Sequence, residues 1–330
     1  MSTKERVLDI LNKSGSKFVS GQEMADELFV TRAAIWKAIK ALEKDGHRLE
    51  AVTNRGYRLA ERIKLLSKDS ILQGLNTENY GSLLVYDSVG STNDMAKEFA
   101  TKKYGENAVV IASCQTRGRG RRGRSFFSPD NTGIYMSFLI YPDKKTDLVT
   151  GLTCKMAVAL CRAIKDITGI ETLIKWVNDI YYRDKKIAGI LTEGITSIED
   201  GELEYIVVGV GLNLYEPYDG FPAELANKAG ALLDENTDSE IANRICAALI
   251  NRFYELIDNS LDTSYIDEYR DRSMLIDKYV KIMNYGKEDT SSHNDYAYVL
   301  GIDDDCHLMV RYDDGKECAL STGEVSVVRY

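Results

Sequence analysis

The run Gly118-Arg119-Gly120-Arg121-Arg122-Gly123-Arg124 places four arginines and three glycines in seven residues. Glycine lets a backbone turn tightly and come close to a ligand. Arginine offers a planar fork of donors suited to phosphate and carboxylate. The stretch therefore reads as a loop, and the chain on either side has to present it. Its spacing satisfies Gly-x-Gly-x-x-Gly, but that dinucleotide fingerprint follows a first strand and opens a helix. Here Ser125-Phe126-Phe127-Ser128-Pro129-Asp130-Asn131 follows, which is loop chemistry. Three uses of the loop stay open: a small-anion site, a nucleic-acid patch and a solvated basic surface.

The chain has 330 residues, enough for two or three domains. Its formal charge of −9 is uneven, with residues 1–60 at net +3 and the remainder at net −12. Only the N-terminal segment suits a polyanionic partner. Cys114, Cys154, Cys161, Cys246, Cys306 and Cys318 lie scattered without paired spacing. That disfavours a zinc site or a disulfide framework and favours a reducing cytoplasm. His47, His293 and His307 form no local cluster, so no metal site and no serine-type triad is expected. The longest apolar run, Tyr205 to Leu212, is far too short to span a bilayer, and no signal pattern opens the chain. No membrane association is expected.

In the first sixty residues, Lys4 to Leu11 reads as a helix with Val7, Ile10 and Leu11 on one face. Ser20-Gly21-Gln22-Glu23 is a capping box that opens a short helix holding Met24, Ala25 and Leu28. Thr31 caps a longer helix with Ile35, Ala38, Ile39 and Leu42 facing a core, stopped by Asp45-Gly46. Arg48 to Thr53, the turn Asn54-Arg55-Gly56 and Tyr57-Arg58-Leu59 form a hairpin. Three helices and a hairpin resemble the winged helix-turn-helix DNA-binding module. That resemblance puts Arg32, Ala33, Trp36 and Lys37 at base edges, and Lys40 and Arg55 near phosphates. A helical docking domain with a solvated basic face is the other reading.

From about Ile63 strands and helices mix. Tyr80 to Asp87 is a strand, and Met95 to Ala100 is helical. Ser91, Thr92 and Asn93 lie between them as small polar groups, either a ligand site or simple helix caps. Ala108 to Ser113 is a strand that delivers Gln115 and Thr116 into the arginine-glycine loop. Gly133 to Ile140 is a third strand, and Thr150 to Ile167 a long apolar helix. Lys175 to Tyr182 and Lys185 to Glu193 read as two strands joined at Arg183-Asp184, so that Lys175 and Lys186 converge on one side. Two lysines and Asp179 near an arginine-rich loop suit phosphoryl chemistry, with Asp179 orienting a partner or a magnesium ion. The alternative is two exposed lysines at a hairpin tip. Tyr205 to Leu214 is a buried strand whose Gly209 and Gly211 mark a close approach. Asp238 to Ile257 is a helix. Without clean β-α-β repetition, a mixed α+β sheet is expected rather than a Rossmann domain.

After Arg272 come short strands, Tyr279 to Met283, Tyr296 to Ile302, His307 to Tyr312 and Glu324 to Val328, with a turn at Asp313-Asp314-Gly315. They suggest a small β-barrel of SH3-like size, a fold that says little about function. The expected domains are 1–62, 63–272 and 273–330.

Six motifs occur in order. They are Ser88-Val89-Gly90-Ser91-Thr92-Asn93, Gln115 to Arg124, Lys175-Trp176-Val177-Asn178-Asp179, Lys186-Ile187-Ala188-Gly189-Ile190-Leu191, Val208-Gly209-Val210-Gly211-Leu212-Asn213 and Gly323-Glu324-Val325-Ser326. Together they resemble the biotin protein ligases, specifically the bifunctional bacterial class of biotin operon repressors, over nearly the whole chain. The resemblance implies the fold shared with class II aminoacyl-tRNA synthetases and lipoate ligases. It implies that biotin and Mg-ATP give biotinyl-5′-AMP, from which biotin passes to a lysine of the biotin carboxyl carrier domain of a carboxylase such as acetyl-CoA carboxylase. It implies biotin contacts from Ser91, Thr92, Asn93, Gln115, Arg119, Gly120, Arg121 and Lys186. Adenylate contacts would come from Arg119, Arg121, Arg122, Lys175, Asn178, Lys186 and Asn213. Lys186, Arg121 and Asp179 would carry catalysis, with no permanently bound metal. It also implies operator DNA as a partner and a homodimer in the adenylate-bound state.

The physical reading agrees with these roles. Biotin's carboxylate and a triphosphate repel each other, and Arg119, Arg121 and Lys186 supply cations to bring them together. Hydroxyls and amides match both the carbonyl and the N–H groups of a ureido ring. A loop closing over a mixed anhydride excludes water, so the heptad is expected to become ordered with the adenylate. Two departures stand out. Val177 occupies the position where the family usually has proline, and the arginine that the family places soon after Gly-Glu-x-Ser would be Arg329, at a different spacing. A lipoate-type ligase and a ligand-sensing repressor without catalysis are the rival readings.

Overall fold

The tertiary contacts divide the chain into two compact units, residues 1–64 and 65–330. The computed structural model describes residues 2–14, 17–44, 49–53, 55–59, 65–141, 148–196, 203–234, 238, 240–259, 262–283, 296–321 and 323–327. Asp45, Gly46, His47, Arg48, Asn54, His293, Val328 and Arg329 lie outside the described residues.

The first unit contains α1 (Thr3–Ser14), α2 (Gly21–Leu28), α3 (Arg32–Lys44), β1 (Leu49–Val52) and β2 (Gly56–Leu59). Apolar residues at helical spacing, Val7, Ile10, Leu11, Met24, Leu28, Ile35, Ile39 and Leu42, meet in a closed core. The capping box forms in full: Ser20 Oγ accepts from Glu23 N, and Glu23 Oε2 accepts from Ser20 N. Thr31 Oγ1 accepts from Ala34 N and so opens α3. Phe29, in the left-handed region at φ 55, turns the chain between α2 and α3. β1 and β2 pair in the register Val52↔Gly56, and backbone bonds between Val19 and Tyr57 tie this hairpin to the helices. This is a helix-turn-helix with a hairpin wing.

The second unit opens with α4 (Lys68–Gln73), β3 (Ser82–Tyr86), α5 (Thr92–Lys102), β4 (Ala108–Ala112), β5 (Gly133–Ile140) and α6 (Leu148–Thr168). It continues with β6 (Leu173–Lys175), β7 (Asp179–Tyr182), β8 (Lys185–Thr196), β9 (Leu203–Asn213), α7 (Ile241–Asp258) and α8 (Ser264–Asp271). Seven strands form one mixed sheet in the order β3-β4-β5-β9-β8-β7-β6. Only β3 and β4 run parallel. Strand alternation distributes the side chains. Val109, Ile111, Met136, Phe138 and Val208 pack toward α6 and α7, whereas Ala108, Val110, Leu139 and Val207 pack with Ala96 and Ala100 of α5. Both faces are covered, which is why β4 and β5 are buried throughout. The α+β expectation holds.

Lys175 to Tyr182 is not one strand. It breaks at Trp176-Val177-Asn178, so that β6 and β7 pair antiparallel with Lys175 opposite Asp179. Trp176 Nε1 donates to Cys306 O at 2.9 Å, and the Tyr269 hydroxyl donates to Val177 O at 3.0 Å. Those tertiary bonds outweigh the strand propensity of the run. The Trp176–Val177 peptide is cis.

The unit ends in β10 (Tyr279–Met283), β11 (Tyr296–Ile302), β12 (Leu308–Tyr312), β13 (Glu317–Leu320) and β14 (Glu324–Val327). These form an antiparallel sheet in the order β13-β12-β11-β10-β14. β13 is not among the strands expected from the sequence; it is a four-residue edge strand with no fully buried residue. The sheet shares one hydrophobic core with α6, α7 and α8. His307 does have neighbours: Asp303 and Asp305 gather beside it in the β11–β12 turn. There Asp303 Oδ1 accepts from the Asp305 and His307 backbone N–H groups, and Oδ2 lies 3.0 Å from His307 Nδ1. The carboxylate is occupied in holding the turn. No helix among the described residues is long and apolar enough to cross a membrane.

Candidate active site

A cavity of about 800 Å³ opens in the second unit. Its floor is the centre of the mixed sheet, where Gly209 and Gly211 of β9 leave room for neighbours. A Cβ on Gly209 would overlap Asn93 Oδ1, and one on Gly211 would lie 2.6 Å from Cε1 of Phe126. The glycines thus admit protein side chains that themselves line the cavity.

The turn before α5 supplies the polar wall. Ser91 occupies the N-cap position but makes no side-chain cap hydrogen bond, which disfavours the simple capping reading. Gln115 Oε1 accepts from Thr92 N at 2.8 Å and lies 3.1 Å from Thr92 Oγ1. Ser137, on β5, contacts Thr92 Oγ1 at 2.7 Å and Asn93 Oδ1 at 2.6 Å.

The arginine-glycine loop leaves β4 and folds on itself. Gly120 N donates to Arg124 O at 2.7 Å, Phe126 N donates to Gly118 O at 2.9 Å, and Arg119 bridges Ser125. Arg121 Nη1 donates to Asn178 Oδ1 at 3.1 Å, and Asn178 Nδ2 donates to Ile190 O. Arg119 Nη2 lies 2.8 Å from Asp94 and 3.0 Å from Glu193, whereas its buried Nε has no hydrogen-bond partner.

The cation cluster completes the cavity. Lys186 Nζ pairs with Asp179 Oδ1 at 2.5 Å across the bulged β7–β8 ladder. Lys175 Nζ sits 5.8 Å from the Tyr181 ring centroid. The two lysines face one cavity but come from β6 and β8, with β7 between them, rather than from two arms of one hairpin. Asn213 Nδ2 donates to Gly230 O.

Ser91, Thr92, Asn93, Gln115, Arg119, Gly120, Arg121, Arg122, Lys175, Asn178, Asp179, Lys186 and Asn213 all line this single cavity. Phe126, Phe127, Trp176, Phe221 and Lys228 line it too, as do Gly323, Val325 and Ser326 from the C-terminal sheet. Sequence reasoning gave none of these a site role. Phe126 and Phe127 had a signal, two aromatics directly after a loop of small and charged residues. Lys228 sits in a segment with no motif and reaches the site only because Lys186 pairs with Lys228 O through its backbone N–H.

In the first unit Arg32, Ala33, Lys37 and Lys40 are exposed, and Trp36 is 54% exposed although it is a large aromatic. Lys40 also pairs with Glu43 at 2.6 Å. Arg55, in the wing, stacks 4.9 Å from the Phe18 ring centroid.

The mixed sheet brings cations and small hydrogen-bonding groups to one cavity, and residues 85–213 match the Biotin/lipoate A/B protein ligase family. Residues 3–58 match an HTH domain. The bifunctional ligase/repressor BirA of Bacillus spizizenii is 33% identical over 314 residues, covering 94% of this chain and 95% of that protein. BirA of Bacillus subtilis is 37% identical over 230 residues, covering 69% of this chain and 70% of that protein. The biotin protein ligase of Aquifex aeolicus in complex with biotin and ATP superposes with a TM-score of 0.59 at 25% identity, covering 76% of this chain and 99% of that one. The chain belongs to the family of bifunctional biotin ligase/repressors, enzymes that carry an N-terminal helix-turn-helix domain.

Proposed function

We propose that this chain joins biotin to ATP, forming biotinyl-5′-AMP and pyrophosphate, and then transfers biotin to a lysine of a biotin carboxyl carrier domain with release of AMP. The observation that carries the reading is the meeting of the Ser91–Asn93 turn, the Arg119–Arg122 loop, Lys175–Asp179 and Lys186 around one cavity. Ser91, Thr92, Asn93 and Gln115 bind the ureido ring, with Arg119 and Gly120 alongside. Lys186 bridges the biotin carboxylate and the α-phosphate, where charge builds as the carboxylate attacks phosphorus. Arg121 covers the adenylate, and Arg122, Lys175, Asn178 and Asn213 hold its phosphate and nucleoside. Mg²⁺ enters as the ATP complex. Asp179 receives the carrier lysine. ATP–pyrophosphate exchange tests this: exchange should require biotin and should not occur with lipoate in its place.

The helix-turn-helix unit reads operator DNA with Arg32, Ala33, Trp36 and Lys37, while Lys40 and Arg55 contact phosphates. Biotinyl-AMP serves as corepressor by favouring a homodimer, and the protein works in the cytoplasm, where carrier and operator meet. Footprinting on the upstream region of the host's biotin-synthesis genes is expected to show protection that strengthens when biotin and ATP are present together. Protection indifferent to both would remove the corepressor role. The arginine-glycine loop is expected to resist trypsin when biotinyl-AMP is bound and to be cut faster without it. Equal cutting in both states counts against loop closure.

A further inference from the structure

Glu193, on β8, lies behind the polar wall. Its carboxylate accepts from Asn93 Nδ2 at 2.7 Å, Lys97 Nζ at 2.9 Å and Arg119 Nη2 at 3.0 Å. Burial pushes this carboxyl up, but the hydrogen bonds from Asn93 and Lys97 and the charges of Lys97 and Arg119 outweigh it, so the net shift is downward. An ionised carboxylate only accepts hydrogen bonds. Asn93 must therefore turn its NH₂ toward Glu193 and its carbonyl away.

That carbonyl meets the Ser137 hydroxyl at 2.6 Å, and because a carbonyl cannot donate, Ser137 does. A hydroxyl has one proton, and Ser137 has now committed it. The 2.7 Å contact between Ser137 Oγ and Thr92 Oγ1 is then filled by the Thr92 proton. No proton is left for the contact of 3.1 Å between Thr92 Oγ1 and Gln115 Oε1. Gln115 cannot supply one by rotating its amide. Its Oε1 faces the Thr92 backbone N–H, and its Nε2 donates to Ser128 Oγ at 3.1 Å. Thr92 and Gln115 thus both present acceptors on the cavity wall.

We propose that Glu193 and Ser137 are positioning residues, which set the direction of the chain Glu193–Asn93–Ser137–Thr92 so that Thr92 Oγ1 and Gln115 Oε1 form an acceptor pair selecting a ligand N–H. The inference rests on the biotin reading above and deepens it: the pair receives a ureido N–H. Ligands with oxygen or CH₂ at that place leave buried acceptors unmatched and are rejected. Ser137 is fully buried and does not line the cavity, so it acts only through its neighbours.

The test is calorimetric biotin binding to the full chain, with ATP–pyrophosphate exchange in parallel. If the wild-type chain does not bind biotin, the functional reading falls, and the inference with it. Given binding, Ser137→Ala and Glu193→Gln should each weaken biotin affinity about tenfold, the scale of one misdirected hydrogen bond. The exchange rate at saturating biotin should stay within about twofold of wild type, a split between affinity and turnover. Thr92→Val should also weaken binding, and Ser137→Ala should then cause no further loss. Unchanged affinity in both single variants, or a full additional loss from Ser137→Ala in the Thr92→Val background, would overturn the directional chain while leaving the biotin reading intact.

Discussion

Alanine in place of Lys186 is expected to lower biotin-dependent ATP–pyrophosphate exchange by about 10²–10³-fold, the cost of removing one preorganised donor from a transition state that gathers negative charge. The geometry argues for a loss at the upper end. Lys186 Nζ is paired with Asp179 Oδ1 at 2.5 Å and is fixed further by its backbone bonds to Lys228 and Gly230. Removing the ammonium therefore deletes a cation and leaves the Asp179 carboxylate unpaired in a cavity that has to accept a triphosphate. Two like charges in one site raise the barrier beyond the loss of the donor alone. Asp179→Asn introduced into Lys186→Ala should accordingly recover part of the exchange. The measurement is the initial rate of label exchange at saturating biotin and ATP. A loss smaller than fivefold would show that Lys186 does not face the developing charge and would shift that role to Lys175 or the loop arginines.

The parts of the site that were legible in the sequence are those where chemistry and local spacing coincide. Gly118 to Arg124 carries its loop nature in composition, and Ser91-Thr92-Asn93 lies between a clear strand and a clear helix. Gly209 and Gly211 stand out because glycine inside a strand that is otherwise a continuous buried apolar run marks a close approach. What escaped was set by tertiary contacts. Trp176-Val177-Asn178 has strong strand propensity on its first two residues, yet it turns because Cys306 and Tyr269, far along the chain, take its polar groups. That turn is also what carries Asn178 to Arg121. Glu193 closes a strand motif and looks like an ordinary outward charge. Only the fold shows that its partners are Asn93, Lys97 and Arg119. The edge strand β13 is only four residues long, with no fully buried position and no β-branched residue to announce it.

The second large effect is expected from Gly209→Ala, because the substitution acts on fold and site through one atom. Gly209 lies mid-strand, hydrogen-bonded between β5 and β8, so its backbone cannot retreat without disturbing two ladders. A Cβ there would overlap Asn93 Oδ1 and stand 3.0 Å from that residue's Cγ and Nδ2. Asn93 cannot rotate freely either, since Ser137 holds its oxygen and Glu193 its nitrogen. The overlap must be relieved by breaking one of those bonds or by shifting α5, and overpacking of this kind costs about 1–3 kcal/mol. Thermal unfolding should report that loss as a lower midpoint, and biotin affinity should fall by about ten- to a hundredfold, since Thr92 and Ser91 lie in the same turn. Gly301→Ala is the control. It lies in the C-terminal sheet with nothing within 4 Å of the added carbon, and it should leave biotin affinity unchanged. If Gly209→Ala binds biotin as wild type does, Asn93 has room that the sheet geometry denies it, and the packing account of the polar wall fails.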